Sequence, residues 1–136
     1  MTTAREIMHP GVRCVDSDAS LVEAARMMRD LDVGSLPICD SEDRLRGIIT
    51  DRDIVIRAVA AGLDLATTRC GEFGGHVHWV DVEDSLEHVL QTMEENQIRR
   101  VPVIENDQLV GMVSEADLAR HLPEEQLAEF VERVYA

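Results

Sequence analysis

Aromatic side chains are nearly missing from this chain: two Phe, one Tyr and one Trp make up 3% of 136 residues. That scarcity removes the stacking platforms on which single-stranded nucleic acid is held, and it leaves Val, Ile, Leu, Ala and Met to build the core. Basic residues are few as well, 13 Lys and Arg against 27 Asp and Glu, so the formal net charge is -14. Such a surface repels a phosphate polyanion on average, which argues against nucleic acid as a partner; a phosphate ligand would need a local arginine cluster. No run approaches the ~18 apolar residues of a membrane span, and the opening Met1-Thr2-Thr3-Ala4-Arg5-Glu6 lacks the apolar stretch of a signal peptide. The expectation is a cytoplasmic protein with no membrane partner. Three cysteines without CxxC spacing fit neither a secreted disulfide scaffold nor a zinc knuckle, but leave room for one redox-sensitive pair. Enzyme signatures are also missing. There is no GxxxxGK[ST] loop, no GxSxG elbow and no HExxH, and carboxylates spread over helix faces usually serve solvation. A non-catalytic protein is expected, and a weak hydrolase acting through acidic residues has no motif behind it.

What is present is a repeat. Ser20-Leu21 aligns with Ser85-Leu86, Met28 with Met93 and Pro37 with Pro102, each at an offset of 65 residues (85 - 20, 93 - 28, 102 - 37). Beyond the prolines, Gly47-Ile48-Ile49-Thr50-Asp51-Arg52-Asp53 aligns with Gly111-Met112-Val113-Ser114-Glu115-Ala116-Asp117 at an offset of 64 (111 - 47), one residue being absorbed in the turn between. With 45% apolar residues, two copies of one unit fill most of a globular chain.

Each copy reads as β-α-β-β-α. In the first, a strand over Val12 to Val15 precedes Leu21, Ala24, Ala25 and Met28, the i, i+3, i+4, i+7 spacing of one helix face, with Ser20 and Glu23 as a capping box. Ser35 to Cys39 and Leu45 to Thr50 read as a hairpin around Asp40 to Arg44, and a helix from Asp51 to about Ala61 ends at Gly62. The second copy predicts strands at Val77 to Val80, Val101 to Ile104 and Leu109 to Ser114, with helices from Leu86 to about Asn96 and Glu115 to about His121. The fold class is therefore α+β, with residues 5–65 and 70–122 forming two repeats that pack as a pseudo-symmetric pair. Residues 123–136 form an amphipathic helix whose stripe of Leu127, Phe130, Val131 and Val134 must be buried, either in its own chain or, the preferred reading, against a partner in a homodimer.

An apolar residue before Pro-Val or Pro-Ile, a hairpin, and then Gly-x-x-Thr/Ser-x-x-Asp resembles the CBS domain. Its duplication over roughly residues 5 to 122 resembles the CBS pair known as a Bateman module. The resemblance implies a stand-alone regulatory module with two clefts between its halves, an adenosine-type ligand such as AMP, ATP or S-adenosylmethionine, no required cofactor, and an effector protein that the sequence does not identify. By the same resemblance Thr50 with Asp53, and Ser114 with Asp117, fall at ribose-binding positions, while Val33, Gly34 and Ser35, and Ile98, Arg99 and Arg100, fall where base and phosphate are lined.

The same residues carry plainer readings. Thr50 with Asp53 and Ser114 with Asp117 have the spacing of an N-cap and a first-turn acid, so capping and ligand binding stand side by side. Arg13 and His78, at equivalent points (78 - 13 = 65), would fill a cleft themselves, and Arg99 and Arg100 suit an ion-paired strand edge as well as a phosphate. Cys14 and Cys39, at the ends of neighbouring strands, are either small buried apolar residues or a redox pair; a disulfide needs α-carbons roughly 4.4–6.8 Å apart. The latter possibility gives the alternative function, a stress-associated structural or redox-responsive protein that binds no nucleotide. His76 and His78 alternate on an expected strand, but two ligands fall short of the four a structural zinc needs, and no metal is expected.

Overall fold

The computed structural model describes residues 1–135, and it divides into two compact units: Arg13–Val77, and Met1–Val12 together with the chain from His78 onward. In the first unit β2 (Val15–Asp16) lies parallel to β3 (Ser35–Cys39), and β3 pairs antiparallel with β4 (Leu45–Thr50). The crossover between β2 and β3 is α2 (Leu21–Leu31). Its start is closed by the reciprocal Ser20 and Glu23 capping box, and its end by Asp32 in the left-handed conformation, φ 55°. Leu21, Ala24 and Met28 face inward and join Val15, Leu36, Ile38, Ile49, Ile54, Ala58 and Phe73 in one core cluster. The segment Asp53–Val59 is wound as a π-helix, seen in the Ala60 N–H donating to Val55 and the Leu63 N–H to Ala58, and Gly62 leaves it at φ +77°.

The second unit repeats this plan with β5 (Val80–Asp81), α3 (Leu86–Glu95), β6 (Arg100–Glu105), β7 (Gln108–Ser114) and α4 (Glu115–His121). Its hairpin turns through Asn106 and Asp107, both at positive φ, where the first copy takes a longer path from Asp40 to Arg44. That shorter turn is the residue lost between the two offsets. The sheet is extended by β1 (His9–Pro10), antiparallel to β7, giving the order β1-β7-β6-β5.

The leading segments of the two copies are exchanged. Ahead of the first copy, α1 (Ala4–Ile7) docks on the second unit, with Ala4 N–H donating to Asp84 O at 2.8 Å and Arg5 N–H to Val82 O at 3.0 Å. Ahead of the second copy, the 3-10 turn Cys70–Phe73 docks on the first unit through equivalent bonds, Cys70 N–H to Ala19 O at 2.8 Å and Gly71 N–H to Ser17 O at 2.8 Å. Glycine marks where such a segment crosses the outer strand: a Cβ on Gly47 would stand 2.7 Å from the Gly74 Cα. Compact units and sequence repeats therefore have different borders, because a three-stranded sheet leaves an edge and a face that the neighbouring copy's leader covers.

Two expectations are corrected. The first strand of each copy is confined to Val15–Asp16 and Val80–Asp81, so Arg13, Cys14, His76 and His78 precede strands and the alternation argued for the histidines does not apply. Finally, α5 (Glu124–Val134) packs on α3 and α4 of its own chain with Phe130 0% and Val134 5% exposed, so most of its stripe is buried without a partner, and Val131 is left outward. Phe130 is large enough to close the face of α3 that the sheet does not reach.

Candidate functional site

In each unit the chain makes the same corner, strand into helix, and both expected carboxylates stand there. The Asp53 N–H donates to Thr50 Oγ1 at 3.0 Å and the Thr50 N–H donates back to Asp53 Oδ2 at 2.9 Å. Ser114 and Asp117 repeat this, with the Ser114 N–H 2.8 Å from Asp117 Oδ2 and the Asp117 N–H 3.4 Å from Ser114 Oγ. Both pairs are thus reciprocal caps that hold a carboxylate at the start of a helical segment.

The other candidate residues converge on these corners. The Asp51 N–H donates to Gly34 O at 2.9 Å and the Glu115 N–H to Arg99 O at 3.2 Å, which ties the segment before each central strand to the helix start. Val33 is exposed, and Ser35 opens β3; in the second copy Ile98 packs on the core and Arg100 opens β6. Gly34 keeps its corner narrow, since a Cβ there would stand 3.1 Å from Asp51 Oδ2. Arg99 replaces that glycine in the second copy. Its guanidinium lies 5.5 Å from the centre of the Tyr135 ring, and the Tyr135 hydroxyl donates to Glu115 Oε2 at 3.2 Å.

The carboxylates differ in their surroundings. Asp53 has one side-chain cation, Arg57 at 3.3 Å, and its side chain is 22% exposed. Asp117 is 5% exposed and is met by His9 Nδ1 at 2.7 Å and by Arg120 at 3.1 Å, with the Ser114 hydroxyl donating at 2.9 Å. Burial pushes the Asp117 carboxyl up, but the Ser114 N–H, His9 and the Ser114 hydroxyl together hold it below the usual carboxylate range. His9 and Tyr135 were not among the expected site residues. The sequence does carry a trace of the first, because His9 aligns with Gly74 (74 - 9 = 65), a departure from the repeat.

Cys14 and Cys39 come together in the first unit, where β2 and β3 run parallel with Val15 opposite Ile38 and Asp16 opposite Cys39. The interaction between the two thiols lowers Cys14 against the opposing effect of burial and raises Cys39, which burial pushes further in the same direction. Cys70 is buried elsewhere in that unit and burial pushes it up to about 11. Among the described residues no group of three or more His, Cys, Asp or Glu converges as a metal ion would require, and no helix is long and apolar enough to cross a membrane.

A duplicated β-α-β-β-α unit with a capped Thr/Ser-x-x-Asp at each strand-to-helix corner defines a tandem module of one family. The CBS domain matches residues 4–59 and 72–124, and the chain belongs to the CBS-domain family. Among its relatives, Hypoxic response protein 1 of Mycobacterium tuberculosis is 52% identical over 135 residues, 98% of this chain and 94% of that protein. The solved structure described as Hypoxic Response Protein I with two coordinated zinc ions superposes with a TM-score of 0.84 at 54% identity, covering 90% of this chain and all of that one. CBSX2 in complex with AMP shares the fold at a TM-score of 0.76 and 20% identity, over 88% of this chain and 95% of that one.

Proposed function

We propose that this chain is a non-catalytic regulatory module of the cytoplasm that takes an adenosine-type ligand, AMP, ATP or S-adenosylmethionine, at its capped carboxylates. The observation that carries this reading is the Thr50 and Asp53 corner. Its carboxylate is fixed by the Thr50 N–H, is partly exposed, and stands beside Val33, Gly34 and Ser35 at the start of a helical segment. An ionised carboxylate can accept both hydroxyls of a ribose cis-diol, and the backbone N–H groups beside it favour phosphate in a chain that is otherwise strongly acidic. That CBSX2 holds AMP on the same fold supports the ligand class. Ligand energy would be read out by an effector protein through two arrangements of differing affinity, with the module acting as a homodimer. Val55, Ile56 and Val59, exposed along the π-helix, supply apolar surface for such a contact. Calorimetric titration of reduced protein with the three nucleosides tests the reading: saturable binding abolished by Asp53→Ala is expected, and silence for all three in folded protein would remove it.

The second reading, a redox-responsive stress protein, is favoured by the adjoining Cys14 and Cys39 thiols. Two-electron oxidation by a peroxide or disulfide would join the two sulfurs and release two protons, with Cys14, the lowered thiol, as the attacking group. Mild alkylation is expected to mark Cys14 first, ahead of the buried Cys39 and Cys70. Intact mass after oxidation should fall by two hydrogens in the native chain and stay constant in Cys14→Ser; a full set of alkylatable thiols after oxidation would count against the pair.

A further inference from the structure

We propose that the two carboxylate corners are unequal, and that His9, helped by Tyr135, occupies the second one, so that each chain takes up a single diol-bearing ligand, at Asp53. The inference rests on the adenosine-ligand reading above and specifies how many ligands bind, where, and what keeps the other corner closed.

A carboxylate offers roughly four lone-pair positions. At Asp117 four donors claim them: the Ser114 N–H, the Ser114 hydroxyl and His9 on Oδ2, and Arg120 on Oδ1. With its side chain 5% exposed, Asp117 can accept two ribose hydroxyls only if His9 leaves and the exposed Arg120 swings away as well. At Asp53 the donors are the Thr50 N–H and, at 3.3 Å, Arg57, so two positions stay available on a side chain 22% exposed. The difference arises from the exchanged leaders. The first copy's leader places His9 in β1 beside β7, within reach of Asp117, whereas the second copy's leader has Gly74, which carries no side chain, at the equivalent position.

The neighbouring segment agrees. Gly34 leaves its corner without a side chain. Its counterpart Arg99 is turned onto the Tyr135 ring, and Tyr135 in turn bonds Glu115, so the last helical turn of the chain is latched to the second corner. His9 and Tyr135 thus both act at the second corner.

The test is the stoichiometry of AMP binding by calorimetry to the full chain, to Asp53→Asn, to Asp117→Asn, and to a His9→Ala, Tyr135→Ala double variant, with circular dichroism confirming folding of each. The expected result is one AMP per chain, lost in Asp53→Asn, kept within threefold in Asp117→Asn, and raised to two per chain in the double variant. Two AMP per native chain, or one that is lost in Asp117→Asn instead, would overturn the inequality while upholding the ligand class. A native chain that binds nothing, beside a double variant that binds one, would uphold the closure by His9 and Tyr135 and remove Asp53 as the open site. Silence from every form would overturn both readings. One AMP per chain in the double variant would show that His9 and Tyr135 are not what closes the second corner.

Discussion

Asp117 is the residue at which stability and site chemistry meet. Its folded carboxyl sits below the value of about 4 that an unfolded chain would show, so it contributes stability above that value and loses the contribution as pH falls through the lower folded value. Asp40 adds to the same acid window: although desolvation opposes it, the backbone N–H groups of Arg44 and Glu42 and the Arg46 guanidinium hold it at about 2. Stability measured by urea unfolding is therefore expected to decline from about pH 5 downward. His9→Ala removes a donor from a buried anion and should cost about 1–3 kcal/mol at pH 7. Because Asp117 then lies nearer its unfolded value, the acid-dependent loss should also be shallower in that variant. An unchanged pH slope would mean that His9 does not hold the carboxylate in solution.

Among the elements, α2 and α5 illustrate two different sources of helix stability. The ends of α2 are settled locally by Ser20, Glu23 and the left-handed Asp32, and Ser20→Ala should cost about 1 kcal/mol by removing a cap. By contrast α5 is acidic on its outer face, has no side-chain cap at its start, and depends on Phe130 and Val134 reaching α3 and α4. Phe130→Ala should cost about 3–5 kcal/mol, more than any single cap, because it leaves a cavity in the second unit's core. Thermal unfolding of the two variants checks the ranking. From α2 onward the helices and the hairpins were legible in the sequence because their signals are local, apolar periodicity over two turns, a capping box, glycine or Asn-Asp at a reversal, whereas the single turn of α1 and the π winding of Asp53–Val59 were not. The first strand of each copy was legible in place but not in extent. Two residues pair with a parallel neighbour, and Arg13 and His78 continue the chain without doing so, a distinction that no two-residue pattern carries.

For the whole molecule, the exchange of leaders has a consequence that the linear repeat conceals. Removing residues 1–12 strips α1 and β1 from the second unit and leaves the first, Arg13–Val77, intact. Hydrogen exchange of that shortened chain is expected to show lost protection along β6 and β7, with β3 and β4 still protected; the reverse pattern would contradict the exchange. The duplication, the α+β class, the capped carboxylates at 53 and 117, and the membership of a family were all determined by the sequence by itself, since each depends on residues no more than a few positions apart or on one copy matching the other. Only the tertiary structure decided that His9 meets Asp117 across 108 residues, that Tyr135 lies on Arg99, that Cys14 and Cys39 adjoin, and that α5 folds back on its own chain. Those pairings join segments distant along the chain, and which of them form is set by packing between elements, where a repeat in sequence imposes no matching repeat in contacts.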